Sequence, residues 1–125
     1  MIGSFRRVVV IDDYDAHLDV LVTYLQRAGF GAAGFTRARV ALQHLIDHPA
    51  SLVVFDLFMP EMDGIDVARL LRANHPEMPL IGITGSRDNQ SKAYLRLLRE
   101  LGTKICLRKP VDGEAFVGAV HAALA

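Results

Sequence analysis

Short β-branched runs that alternate with longer stretches of helical period constrain this chain more than any other feature. RVVVI (7–11), LVVF (52–55), LIGI (80–83) and ICL (105–107) read as continuous apolar strands, and a weaker glycine- and alanine-rich run spans 31–35. Between and after them, apolar residues recur at helical spacing: Leu18, Leu21, Val22 and Leu25; Ala38, Ala41, Leu42 and Leu45; Ile65, Ala68 and Leu71; Tyr94, Leu97, Leu98 and Leu101; Phe116, Ala119, Val120 and Ala123. Gly29, His48–Pro49 and Gly102 punctuate helix ends, and Thr36 is expected to cap the second helix. A strand that is apolar at every position needs cover on both faces. The alternation therefore predicts a doubly wound α/β fold, in which a five-stranded parallel sheet lies between two layers formed by five helices. The weak second strand has little side chain to pack and is expected at an edge.

The 125 residues suffice for one domain, expected to run over 1–125, and a composition of 51% hydrophobic with 22% charged residues is that of a folded globular chain. With 14 basic and 14 acidic residues the net charge is +0, which argues against a nucleic-acid or membrane surface. The single cysteine, Cys106, excludes an internal disulfide and fits a reducing compartment. No apolar run approaches the length of a membrane span, so a cytoplasmic location is expected.

Ligands of open α/β sheets bind outside the carboxyl ends of the strands. At those ends the sequence places Asp12 and Asp13, then Asp56, Thr84 and Lys109. A phosphate-binding turn would need glycines or hydroxyls after the first strand. DDYDAH (12–17) offers negative charge instead. A hard divalent cation such as Mg2+, which prefers carboxylate oxygens and water, is the natural occupant. A carboxylate beside that ion can attack phosphorus and hold an acyl phosphate, which gives Asp56 a role. Lys109 would supply a point charge and Thr84 a hydroxyl to the phosphoryl oxygens.

DLFMPEMDG (56–64) resembles the D-x-x-M-P-x-x-D-G motif of the receiver domains of two-component response regulators, and IDD (11–13), IT (83–84) and RKP (108–110) extend the resemblance in order along the whole chain. The resemblance implies a flavodoxin-like sheet of order 2-1-3-4-5, with Asp56 as phosphoacceptor. It implies Mg2+ held directly by Asp13 and Asp56, through water by Asp12, and by the backbone carbonyl of Phe58. A cis Lys109–Pro110 bond is implied too. The implied phosphodonor is a phosphohistidine on a sensor histidine kinase or a histidine phosphotransfer domain. A downstream protein or an output domain outside these residues would receive the signal, with a second copy of the chain as a further candidate partner. Such a module is a switch in a phosphorelay and not a turnover enzyme.

Two features depart from that pattern. Receivers usually carry Tyr or Phe three residues before the lysine, where it fills space that the threonine vacates; here Cys106 stands there, expected as a small buried residue. The stretch from Thr84 to Gly102 exceeds the common pattern by about one helical turn. By the same resemblance, Phe58 and Ser86 influence attack of water on the acyl phosphate. The five histidines, His17, His44, His48, His75 and His121, read as solvated or half-buried and not as a metal site, and Met59, Met62 and Met78 as fillers. Two other readings remain. A receiver-like interaction module could act without phosphorylation, although the acid set is complete. A Mg2+-dependent phosphohydrolase using Asp56 would want a carboxylate where Phe58 stands.

Overall fold

A computed structural model describes residues 6–85 and 91–125. The elements run β1 (Arg7–Ile11), α1 (Asp15–Arg27), β2 (Gly31–Phe35), α2 (Ala38–Asp47), β3 (Leu52–Asp56), α3 (Gly64–Asn74), β4 (Leu80–Thr84), α4 (Lys92–Glu100), β5 (Thr103–Arg108) and α5 (Gly113–Leu124). Every strand pairing is parallel and the sheet order is β2-β1-β3-β4-β5, with the weak β2 at an edge.

Successive side chains of a strand point to opposite faces, and that period sorts the core in two. Val9, Ile11, Val53 and Phe55 pack with Ala41, Leu45, Val67, Leu71 and Leu98 beneath α2, α3 and α4. Val8, Val10, Leu52, Val54, Ile81 and Ile83 pack with Leu21, Leu25, Phe116 and Val120 beneath α1 and α5. Burying each such side chain contributes about 1.5–3 kcal/mol, so both faces hold the central strands in register. Gly82 leaves room for Leu57, whose Cδ2 would lie 2.8 Å from a Cβ at that position. Leu57 follows Asp56 directly, so this close approach seats the chain just beyond β3.

Some expectations change. The N-cap of α2 is Arg37 and not Thr36, because the chain stays extended through Arg37 (φ −128, ψ 127), and no side chain caps this helix. β5 is longer than ICL, starting at Thr103 and ending at Arg108. Cys106 is exposed and not buried. The reason is strand parity: Cys106 shares a face of the edge strand with exposed Lys104 and Arg108, while Ile105 and Leu107 turn toward α5. Lys109–Pro110 is cis, as the resemblance implied. Ser86, with the rest of 86–90 in the long stretch after Thr84, lies outside the described residues.

Candidate functional site

β1 is flanked by β2 on one side and β3 on the other, so the chain leaves the ends of β1 and β3 in opposite directions and opens a crevice there. Asp12 and Asp13 follow β1, Asp56 closes β3, Thr84 closes β4 and Lys109 follows β5. The crevice gathers them. Carboxylate oxygens of Asp12, Asp13 and Asp56 all lie within 4.8 Å of one another. Lys109 Nζ donates to Asp56 Oδ2 at 2.7 Å and lies 3.4 Å from Asp12 Oδ2. The Lys109 amide donates to the Thr84 carbonyl at 2.8 Å, which seats the lysine against the end of β4.

Local backbone bonds aim the two buried acids. Asp12 and Asp56 are 1% and 4% exposed, while Asp13 faces solvent. Asp56 Oδ1 accepts the Phe58 amide and Asp12 Oδ1 accepts the Tyr14 amide, both at 2.9 Å. Each is a bond from a side chain to the backbone two residues on, a turn that short acidic side chains favour. Thr84 is buried, its hydroxyl 3.4 Å from the Gly85 carbonyl.

Burial pushes the Asp56 carboxyl above its ordinary pKa, with the Asp12 charge adding to the rise, even though Lys109 and the Phe58 amide pull the other way. For Lys109 burial acts downward, but the hydrogen bond and charge of Asp56, and then Asp12, outweigh it and hold the ammonium above its ordinary value. One ammonium therefore faces three clustered carboxylates. That residual negative charge, on an all-oxygen donor set with one solvent-facing member, fits a hard divalent cation better than zinc.

His17, expected as a solvated or half-buried residue outside any metal site, is partly buried and bonds to an acid of this site. Its Nδ1 hydrogen-bonds Asp12 Oδ2, and because a carboxylate accepts, Nδ1 carries the proton. Nε2 is buried and has no partner among the described residues. The available signal was spacing: His17 precedes buried Leu21 by four positions and so turns inward on α1. The other histidines lie elsewhere. His44 stacks on His48 at 4.6 Å beside the start of β1, where Arg7 donates to the His48 carbonyl at 2.9 Å. His121 lies against Phe30 at 5.2 Å. Met59, Met62 and Met78 are buried in the core under α2, α3 and α4, as expected of fillers. Asp63 caps α3 by accepting the Ile65 amide at 2.6 Å. No helix among the described residues is long and apolar enough to cross a membrane.

Comparison with known proteins shows the family to which the chain belongs. The family model described as response regulator receiver domain matches residues 8–121. The transcriptional regulatory protein GltR of Pseudomonas aeruginosa is 30% identical over 126 residues, covering 99% of this chain and 51% of that protein. The CAI-1 autoinducer sensor kinase/phosphatase CqsS of Vibrio cholerae is 29% identical over 120 residues, covering 94% of this chain and 17% of that protein. This chain thus spans about half the length of the first relative and under a fifth of the second. Among solved structures, a receiver domain protein from Methanospirillum hungatei superposes with a TM-score of 0.89 at 23% identity, covering 97% of this chain and 94% of the other.

Proposed function

We propose, for a chain that belongs to the response regulator receiver domain family, that Asp56 is the residue that accepts the phosphoryl group. Receiver domains of two-component systems are signalling modules, and this chain is one of them. The observation that carries the Asp56 assignment is the geometry of its carboxylate. It is buried at the carboxyl end of β3, oriented by the Phe58 amide at 2.9 Å and countered by Lys109 at 2.7 Å.

In the transfer, a carboxylate oxygen of Asp56 attacks phosphorus as the bond from phosphorus to the donor's imidazole nitrogen breaks, and the electron pair of that bond leaves with the imidazole. Catalysis of such a step is positioning and charge neutralisation. A divalent cation, Mg2+ by preference, held by Asp12, Asp13, Asp56 and the Phe58 carbonyl, would neutralise the incoming phosphoryl oxygens. Lys109 places its ammonium where the Asp56 charge is spread onto phosphoryl oxygen. Thr84 offers its hydroxyl from the adjacent strand. His17 holds Asp12 in one rotamer while Lys109 turns to the phosphoryl group.

The phosphodonor in this reading is a phosphohistidine on a sensor histidine kinase or phosphotransfer domain, met in the cytoplasm. The 125 residues act as one receiver unit whose signal passes to a protein partner or an attached output segment. The two relatives illustrate both settings, one named as a transcriptional regulator and one as a sensor kinase. The module turns over no substrate of its own; it is charged and discharged. A phosphohydrolase is disfavoured by Phe58 at the position two beyond Asp56, and an interaction module indifferent to phosphate by the complete acid set.

Intact mass after incubation with Mg2+ and acetyl phosphate tests the assignment. The wild type should gain one phosphoryl group and Asp56→Asn none, because an amide cannot form an acyl phosphate. Equal labelling of the two proteins would place the nucleophile elsewhere.

A further inference from the structure

Position 106 on β5 is a cysteine, and the ring that meets Phe58 comes from α4. Tyr94 stands in the first turn of α4, its amide bonded to Ser91 Oγ at 3.1 Å. Its ring lies nearly parallel to that of Phe58, with centroids 6.0 Å apart and planes inclined by 12°. Among the described residues, Phe58 stacks on no other ring. The Tyr94 hydroxyl donates to Asp63 Oδ1 at 3.3 Å, the same oxygen that caps α3. Desolvation first, and then the charges of Asp63, Cys106 and Asp66, raise the phenol above its ordinary pKa, so it stays a protonated donor.

Phe58 and Asp63 are themselves joined by an isolated antiparallel β-bridge, which closes the turn between β3 and α3. The far end of that turn is the Phe58 amide bonded to Asp56 Oδ1 at 2.9 Å. Tyr94 therefore grips both sides of the turn whose backbone aims the Asp56 carboxylate. Phe58 is 46% exposed, and a ring so open to solvent needs a partner to stay in one position.

We propose that Tyr94 is a positioning residue for Asp56: by clasping Phe58 and Asp63 it fixes the turn beside the carboxylate, and so makes the lifetime of the acyl phosphate depend on where α4 sits. This rests on the reading of Asp56 as phosphoacceptor. Coupling between two places is reciprocal. A protein that draws α4 outward frees Phe58 and admits water to the acyl phosphate, and a phosphoryl group that displaces Phe58 shifts α4. The connection runs through a side chain on α4 and does not need an aromatic at Cys106.

The test follows loss of the phosphoryl group by intact mass, after charging with acetyl phosphate and Mg2+ and removal of the donor. Tyr94→Leu should shorten the lifetime by roughly two- to tenfold, the rate equivalent of one aromatic pair. Tyr94→Phe, which keeps the ring and loses the Asp63 bond, should fall between Tyr94→Leu and wild type. In a Phe58→Leu background Tyr94→Leu should shorten the lifetime by less than it does in wild type, because the ring contact is already gone and only the Asp63 bond is left to lose, a non-additivity that a general loosening of α4 would not produce. A wild-type lifetime in Tyr94→Leu, or full additivity with Phe58→Leu, overturns the proposal. If Tyr94→Leu fails to fold by circular dichroism, Tyr94→Phe decides: a lifetime shorter than wild type supports the proposal, and a wild-type lifetime overturns it. A wild type that takes up no phosphoryl group defeats the Asp56 assignment instead, so the two failures are distinct.

Discussion

Asp56 sits between opposing influences: burial and Asp12 disfavour its charge, while Lys109 and the Phe58 amide favour it, and burial wins. A carboxyl whose folded-state pKa is raised binds its proton more tightly in the native state than in the unfolded one. Stability is then lost as pH rises from the ordinary aspartate range through the raised value. Asparagine mimics the uncharged form. In chelator, Asp56→Asn should be more stable than wild type at pH 7, and the difference should shrink as pH falls through the raised value toward the ordinary aspartate range. Denaturant unfolding at a series of pH values checks this; a less stable variant at pH 7 would mean that Lys109 outweighs burial. Lys109 acts at the other end of the scale. Its raised pKa supplies stability at neutral pH that disappears as pH climbs above the ordinary lysine value.

One side chain of α3 organises the elements around it. Arg72 donates from Nε to the Leu101 carbonyl at 2.8 Å, from Nη1 to the carbonyls of His75 and Pro76, and from Nη2 to the Met78 carbonyl at 3.0 Å. It thereby joins the end of α3, the approach to β4 and the turn between α4 and β5. That turn passes through Gly102 at φ +97, and a Cβ there would lie 1.9 Å from Arg72 Nη2. Glycine is needed twice over, for its dihedral and for the guanidinium beside it. Arg72→Met should cost about 2–3 kcal/mol, the scale of charged hydrogen bonds lost to partly buried carbonyls. Gly102→Ala should be destabilising as well, yet cost less in the Arg72→Met background, because removing the guanidinium removes the clash and leaves the dihedral strain. Urea unfolding of the two single variants and the double variant checks the coupling; strict additivity would show that the guanidinium moves aside freely.

The whole molecule carries the site as shared strain. Three acids held within 4.8 Å by the ends of β1 and β3 repel one another, and the fold bears that cost wherever no cation is bound. A ligand that binds only the native state raises stability with the logarithm of its concentration. The melting temperature of the wild type should therefore climb as Mg2+ is added. Asp13→Asn removes one charged ligand and one source of repulsion. Its metal-free stability should equal or exceed that of wild type, while the Mg2+ concentration needed for a given rise should increase by an order of magnitude. A metal-free variant clearly less stable than wild type would show that Asp13 is paired structurally within the fold.

Periodicity and residue chemistry are local, so the sequence alone determined what they can express. It placed the five strands, the five helices, the edge position of β2 and the row of polar residues at the strand ends. The motif DLFMPEMDG added the family and, through it, the strand order. Contacts between distant residues depend on register and on the rotation of each helix, and a pattern of apolar spacing fixes those only to a face. The bond from Lys109 to Asp56 crosses 53 positions and was expected only as a shared edge. His17 reached Asp12, and Tyr94 reached Phe58 and Asp63, because α1 and α4 dock at angles that no local signal encodes. Cys106 marks the boundary between the two. Its alternation with Lys104 and Arg108 was present in the sequence, but only the packed edge strand, with α5 covering its other face, decided that the thiol meets solvent.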